Sequence, residues 1–176
     1  MIRRFMKRRA FSLVELVIVI VILGIVAAIA IPRISSGSRN AGESALRANL
    51  ATIRNAIDWY YGEHGNTFPG ANGDGTNGVN TEGAFVNQLT QYSNRSGGVS
   101  DTKDGAHPFG PYIRGAFPKL PVGANAGKAT VTVVTDAAPL TATPGDATGW
   151  KYSTVTGQVI ANVTDAGADT VTYDTY

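Results

Sequence analysis

The feature that most constrains this chain is an apolar run near its N-terminus. Phe11 through Ile31 reads FSLVELVIVIVILGIVAAIAI, twenty-one residues in which Glu15 is the one ionisable side chain. At about 1.5 Å of rise per helical residue the run would reach roughly 30 Å, the thickness of the hydrocarbon core of a bilayer. Residues 1–10 are basic and contain no acid, which favours a cytoplasmic N-terminus. The sequence therefore predicts a single-pass membrane segment over 11–31.

Two ordinary interpretations compete with a more specialised one. The first is a secretory signal peptide, for which Ala28-Ile29-Ala30 offers a small-residue cleavage site. The second is a plain signal anchor with no further role. Glu15 argues against both, because a carboxylate inside an apolar run costs about 2.5–3.5 kcal/mol in a bilayer unless it is paired. Neither a signal peptide nor a plain anchor gains anything from that carboxylate.

The residues around Glu15 resemble the class III signal of type IV prepilins and type II secretion pseudopilins. Arg9-Ala10-Phe11-Ser12-Leu13-Val14-Glu15-Leu16 follows that family's order: a basic leader, a small residue, Phe, a Thr or Ser, two aliphatic residues and Glu. In the family, prepilin peptidase cuts before the Phe and methylates the new amine. The resemblance implies removal of the leader 1–10 by cleavage between Ala10 and Phe11, with N-methylation of Phe11. Ala10 stands where the family usually has Gly, so slower processing is expected at worst.

The same resemblance gives Glu15 a role in assembly. Cleavage creates a cationic amine at Phe11, and the family's Glu is thought to neutralise that amine on a neighbouring subunit. Two charges that are costly apart become tolerable when they are paired in a low-dielectric helix bundle. Glu15 also lies one turn from Phe11 in the same chain. The sequence leaves pairing within a subunit and pairing between subunits both open.

Helical periodicity resumes beyond the membrane segment. Leu46, Leu50, Ile53, Ile57 and then Tyr60 or Tyr61 recur at spacings of three and four, which is typical of a helix that packs under a globular head. One long helix is therefore predicted, with 11–31 in the membrane and 32–61 under the head, ending near Gly62. Pro32 predicts a helix break. That break is either a simple kink at the membrane exit or local melting that lets a filament pack and stretch.

The remaining chain, 62–176, predicts a loop-rich head, so that the whole chain is α+β and pilin-like, with a small antiparallel sheet. Thr81 can cap a short second helix. The runs 129–135, 150–155 and 158–163 are rich in β-branched residues, and the last two flank Thr156-Gly157 as a hairpin. A short last strand is expected at 171–173.

The head also contains segments that resemble the major type II secretion pseudopilins. These are Gly149-Trp150-Lys151-Tyr152, Thr156-Gly157, Ala161-Asn162 and the Pro-rich stretch 110–121. In that group a loop near the C-terminus binds calcium through Asp side chains and backbone carbonyls. The resemblance thus implies a Ca²⁺ site, with solvated surface aspartates as the alternative; the available side chains are Asp136, Asp146, Asp165, Asp169 and Asp174. Asn72, Asp74 and Thr76, with Glu82 further on, faintly resemble an EF-hand loop, but Asn77 and Gly83 replace its required Gly and Glu.

Charge and composition exclude several other functions. Five of the fifteen basic residues lie in the leader, and without it ten basic side chains face thirteen acidic ones. No basic patch interleaved with aromatic residues remains, so no nucleic-acid partner is expected. The chain has no cysteine, which excludes disulfides and thiolate chemistry. His64 and His107 lie in Gly- and Pro-rich segments without an acid and nucleophile nearby in sequence, and an enzyme is not predicted.

The resemblance implies a structural subunit of a type II secretion pseudopilus. The alternatives are a true type IV pilin, for adhesion, twitching or DNA uptake, and a membrane-anchored or secreted binding module. The lack of cysteine favours the pseudopilin over pilins that clamp the head with a disulfide. The implied partners are prepilin peptidase, further copies of the chain, minor pseudopilins, an inner-membrane platform protein and a cytoplasmic ATPase. The implied location is the bacterial inner membrane, with the head in the periplasm, or outside the cell for a true pilus.

Overall fold

The structure, a computed structural model, describes residues 12–176, and for residues 30–36 it describes the backbone only. The leader and the predicted cleavage position between Ala10 and Phe11 lie outside the described residues. The chain divides into two units, one ending at Ser38 and one spanning Arg39–Tyr176. A long N-terminal helix followed by a short helix and small sheets makes the fold α+β and pilin-like, as predicted.

Helix α1 spans Leu13–Glu63 and contributes to both units. Its backbone remains helical through Pro32, and the predicted consequence of that proline, a kink or local melting, stays a prediction. The helix ends within one residue of Gly62, and the predicted apolar stripe is buried, with Tyr60 completing it and Tyr61 partly exposed. The division of α1 into a membrane part and a head part stays a prediction as well.

Helix α2, Glu82–Thr90, begins at the predicted cap. The hydroxyl of Thr81 accepts a hydrogen bond from the backbone N–H of Ala84 at 3.3 Å, which satisfies one of the unpaired donors at the helix start. The helix buries Phe85 and Leu89. The ring of Phe85 stacks on Tyr152 with centroids 4.0 Å apart, so α2 is fixed to the sheet through an aromatic pair.

The strands form two small sheets. β1 (Tyr92–Ser93) pairs with β2 (Val99–Ser100), and a second sheet has the order β3 (Val131–Val134), β4 (Trp150–Ser153), β5 (Val159–Ala161). The β4–β5 hairpin is antiparallel as predicted.

Two details of the predicted sheet are wrong. β3 pairs with β4 in parallel, because the connection 135–149 is long enough to return the chain to the same edge before β4 begins. The predicted last strand is instead a single bridge between Ala166 and Thr172, followed by a 3-10 helix at Tyr173–Thr175.

The core lies between the second half of α1, helix α2 and the β3–β5 sheet. Trp150 and Tyr152 are fully buried in it, and each places its polar atom against a backbone carbonyl: the Trp150 indole N–H donates to Pro118 O and the Tyr152 hydroxyl to Pro69 O. Gly157 turns the β4–β5 hairpin with a φ of +71°, and the ring of Phe68 occupies the space that a side chain there would need. The Gly-rich segment 62–83 is therefore held on the core.

Candidate assembly segment and polar clusters of the head

The first turns of α1 present an extended apolar surface in which Glu15 is the one ionisable side chain. Every described side chain from residue 12 to residue 29 is exposed, including thirteen large aliphatic ones: Leu13, Val14, Leu16, Val17, Ile18, Val19, Ile20, Val21, Ile22, Leu23, Ile25, Val26 and Ile29. Soluble monomers rarely expose a contiguous apolar patch of more than a few hundred Å². A segment of this kind needs a cover of lipid or protein. Among the residues that the structure describes, no helix has the combination of length and apolarity that a membrane crossing requires.

Glu15 lies in the first turn of α1 and is exposed. Next to it, the backbone N–H of Leu16 donates to Ser12 O at 3.2 Å, so the helical hydrogen bonding starts at the predicted motif. A carboxylate in this turn interacts favourably with the helix dipole. Among the side chains that the structure describes, those of 12–29 and 37–176, the two ion pairs are Arg47–Asp169 and His107–Asp104, and Glu15 takes part in neither. Its predicted partner, the amine of Phe11, lies outside the described residues.

Asp74 is a buried acceptor for protein N–H groups. It is 2% exposed, and its Oδ1 accepts from the backbone of Thr76 and Asn77 while its Oδ2 accepts from the amides of Asn77 and Asn87. Burial by itself would raise the pKa of this carboxyl, but the four hydrogen bonds outweigh it and lower the pKa. Both carboxylate oxygens of Asp74 are therefore used within the chain, as acceptors that hold the loop 74–77 and Asn87 together.

His64 is buried, although it lies at the start of a Gly-rich segment. It is 3% exposed and stacks on Tyr60 with ring centroids 3.7 Å apart. Its Nδ1 lies 2.9 Å from Tyr60 O and its Nε2 lies 3.1 Å from Ser93 Oγ. The neutral ring satisfies both contacts, with Nδ1–H donating and Nε2 accepting. Ser93 is fully buried as well, so this Ser–His pair is closed to substrates and joins α1 to β1.

Three of the five C-terminal aspartates accept hydrogen bonds from different partners. Asp146 accepts from the Thr132 hydroxyl, which lowers its pKa; Asp165 accepts from the backbone N–H of Ala124; and Asp174 accepts from that of Ala142. Asp146 and Asp165 line one cavity of about 310 Å³. Within residues 12–176 no three acidic, His or Cys side chains come together as metal ligands would. Calcium binding stays a prediction.

Three residues of α1 hold the C-terminal segment, defined here as residues 165–176. Glu43, only 6% exposed, accepts from the backbone N–H of Ala168 at 2.7 Å. Arg47 lies 3.7 Å from Asp169, and Arg54 donates to Tyr176 O and to Val159 O. Arg47 and Arg54 are not members of the predicted apolar stripe, and the sequence does not reveal which groups they contact.

A further feature that the sequence did not single out is the exposed Trp59. It is 69% exposed and contributes to a depression of about 270 Å³ lined also by Asn55, Asp58, Gly62 and Glu63. In the part of α1 that packs under the head, a tryptophan between small and acidic residues is an exception on the otherwise polar outer face. That exception is the sequence signal that could have identified Trp59.

The helix and the site define a class of protein: a pilin-like subunit, in which an exposed apolar helix start with one carboxylate leads into a small α+β head. The comparisons with known proteins agree. Residues 5–31 match the family described as "Prokaryotic N-terminal methylation motif". The chain is also 32% identical over 54 residues to the protein named "Type II secretion system core protein G" of Escherichia coli (strain K12).

The short match with this relative limits which of its properties can be inferred for this chain. The match covers 31% of this chain and 37% of the relative, so the chain spans well under half of the curated protein's length. No solved structure matches. Both matches agree with the resemblance to pilin-like and pseudopilin-related proteins that the residues around Glu15 predicted.

Proposed function

We propose that this chain is a structural subunit of a type II secretion pseudopilus that polymerises through the first half of α1. The observation that supports this most directly is the coincidence of the methylation motif at 5–31 with an exposed apolar helix containing Glu15. The chain would be held in the inner membrane by this helix, with its head in the periplasm. It would work as a filament component and not as an enzyme.

The physical reason lies in the pairing of two charges. Processing before Phe11 would leave a cationic amine beside an apolar helix, and Glu15 is the one acidic residue of that helix start. In a bundle of such helices the amine and the carboxylate stabilise each other, whereas either one alone would be strongly destabilising. Assembly then pairs the two charges and covers the apolar helix surface, both of which are unfavourable in the separated subunit.

Several partners follow from this proposal. Prepilin peptidase would remove residues 1–10, and an inner-membrane platform protein with a cytoplasmic ATPase would drive assembly. Further copies of the chain and minor pseudopilins would form the filament. The location of the filament distinguishes the two alternatives. A pseudopilus would stay in the periplasm and export proteins, whereas a type IV pilus would extend from the cell.

The test compares Glu15→Ala with Leu16→Ala in cells that assemble the filament. We expect both variants to insert into the membrane in normal amounts and only Glu15→Ala to lose most of the filament, measured by shearing and by electron microscopy. Leu16→Ala removes apolar area from the neighbouring position and controls for general loss of packing. A normal filament yield from Glu15→Ala would contradict the assembly role. Filaments that protrude from wild-type cells would identify a pilus in place of a pseudopilus.

A further inference from the structure

The C-terminal segment, residues 165–176, is acidic. It contains Asp165, Asp169 and Asp174 and no lysine or arginine. Carboxylates and carbonyls that lose contact with water need donors or cations, because burying them without a partner is unfavourable. The resemblance to the major pseudopilins predicts a calcium ion in this part of the head. The alternative is that other parts of the same chain supply the donors and the positive charge.

Helix α1 supplies two cations that contact this segment. The Arg54 guanidinium donates to Tyr176 O at 2.8 Å and to Val159 O at 3.2 Å, so it joins the segment to β5. Arg47 lies over the Tyr176 ring, 4.6 Å from the centroid, and 3.7 Å from Asp169 Oδ2. The Tyr176 hydroxyl donates to Asp169 Oδ1 at 3.0 Å. Arg47, Asp169 and Tyr176 therefore form one group that joins a cation, a carboxylate and a ring.

Glu43 adds a buried acceptor from the same helix. It is 6% exposed, and its Oε1 accepts from the backbone N–H of Ala168 at 2.7 Å. The same Oε1 lies 3.0 Å, and Asp169 Oδ1 lies 2.9 Å, from the position that a Cβ on Gly167 would take. Two carboxylates thus approach each other here, as ligands of a metal ion do. Asp169 Oδ1 also accepts from the N–H of Val171, so both oxygens are already bonded to protein donors.

The other carboxylates of the segment do not complete a calcium site. Calcium takes about six to eight oxygen ligands at about 2.3–2.6 Å. Asp165 Oδ2 accepts from Ala124 N–H and Asp174 Oδ2 accepts from Ala142 N–H. The buried Oδ1 of Asp174 finds no hydrogen-bond partner among the described side chains and backbone, but a single oxygen does not bind calcium. In the described part of the chain no three acidic, His or Cys side chains converge, so this donor set does not fit a calcium ion.

We propose that side chains of α1 hold the C-terminal segment in place of a metal ion, so that the head of this chain folds without Ca²⁺. Arg47 and Arg54 provide the positive charge, and Glu43 binds the backbone of the segment. The inference goes beyond the proposed function, since a filament subunit is compatible with either arrangement. It replaces a predicted metal site by contacts within one chain, and it makes the position of the segment depend on the region 43–54 of α1.

The first test measures the effect of calcium on the stability of the purified full-length chain in detergent. The midpoint of thermal unfolding is recorded in EGTA and in calcium chloride at about 10 mM, which exceeds the dissociation constants of weak extracellular calcium sites. Magnesium chloride at the same concentration controls for ionic strength. A site bound at a hundred times its dissociation constant would raise the midpoint by roughly 5–10 °C. We expect equal midpoints in all three solutions, and a rise of that size in calcium alone overturns the proposal.

Variants identify the side chains that hold the segment. Arg54→Met keeps an apolar stem and removes both hydrogen bonds, whereas Tyr176→Phe keeps the ring beneath Arg47 and removes the hydroxyl. We expect amide hydrogen exchange in 165–176 to become roughly tenfold faster in Arg54→Met, the factor expected for lost hydrogen bonds from a charged group, and to rise less in Tyr176→Phe. The matched control is Arg114→Met, since Arg114 is exposed and lies outside both α1 and the segment.

Two results of the exchange measurement overturn the proposal. One is unchanged exchange in Arg54→Met, and the other is a return to slow exchange when calcium is added to that variant. Filament yield separates this inference from the proposed function. If calcium raises the unfolding midpoint while filaments form normally, the inference fails and the function stands. If calcium has no effect and no filament forms with the assembly machinery present, the function fails and the inference stands.

Discussion

His64 is placed where a positive charge is unfavourable, because its ring is buried and stacks on Tyr60. Burial lowers its pKa below the ordinary 6.5, so the unfolded chain binds the proton more readily than the folded one. The free energy of unfolding should therefore fall as the pH drops below about 6.5, with a slope of at most about 1.4 kcal/mol per pH unit.

The matched variant for this prediction is His64→Phe, which keeps an aromatic ring for stacking and cannot titrate. Denaturant unfolding of the full chain in detergent, repeated between about pH 7 and about pH 5, should show less acid destabilisation in the variant than in the parent. Equal slopes in the two proteins would show that His64 is not the group that titrates.

Asp74 gives a second prediction for a single residue. Its carboxylate accepts four N–H groups, so Asp74→Asn would turn an amide donor toward other donors and cost about 1–3 kcal/mol of stability. Asp104→Asn is the matched control, since Asp104 caps a similar turn at Ala106 and His107 but is exposed. Because the pKa of Asp74 is lowered, its contribution is present at neutral pH and is lost as the pH falls through that pKa. Chemical denaturation of both variants gives the comparison, and equal losses would contradict a special role for Asp74.

The role of a single residue could be predicted where it follows from residues close to it in the sequence. Glu15 could be found because its importance follows from its immediate neighbours in an apolar run. His64 could not, since its burial depends on Ser93 and Tyr112, which approach it from segments distant in sequence. For Trp59, periodicity shows that the side chain faces outward, but nothing in the sequence shows that the surface around it is acidic and concave.

At the scale of elements, the C-terminal segment depends on α1 for its position. Glu43 should matter most, because it is buried and its partner is a backbone N–H, whereas Arg47 and Asp169 are both largely solvated and such pairs contribute little. We expect Glu43→Ala to increase amide hydrogen exchange throughout 165–176 and to cost about 1–3 kcal/mol. Glu43→Gln retains an acceptor oxygen and should show a smaller effect. Unchanged exchange in Glu43→Ala would indicate that Arg54 alone holds the segment.

The elements themselves show how far sequence patterns reach. α1, α2 and the β4–β5 hairpin were predictable because each is defined by a local pattern: a 3.6-residue stripe, a Thr cap and a two-residue turn signal. The parallel pairing of β3 with β4 was not, since strand direction is set by the path of 135–149 and not by the residues of either strand. The 3-10 helix at the C-terminal end likewise depends on contacts with another element, β5.

For the whole molecule, the distribution of charge follows from the proposed processing. The formal net charge of +2 includes five basic side chains in residues 1–10, and without them ten basic side chains face thirteen acidic ones. The molecule that assembles would then be acidic overall. Copies with the same net charge would repel one another weakly, and added salt would screen that repulsion.

Processing can be tested directly on the intact protein. In cells that contain prepilin peptidase, we expect the purified chain to have the mass of a protein that begins at N-methylated Phe11, and to focus at an acidic pH. In cells without the peptidase, the unprocessed chain should keep its basic isoelectric point of about 9.0. The two forms differ because the leader holds a third of the chain's basic side chains. A mature chain that begins after Ala28 or Ala30 would contradict the prediction, since cleavage there removes Glu15 together with the apolar start of α1.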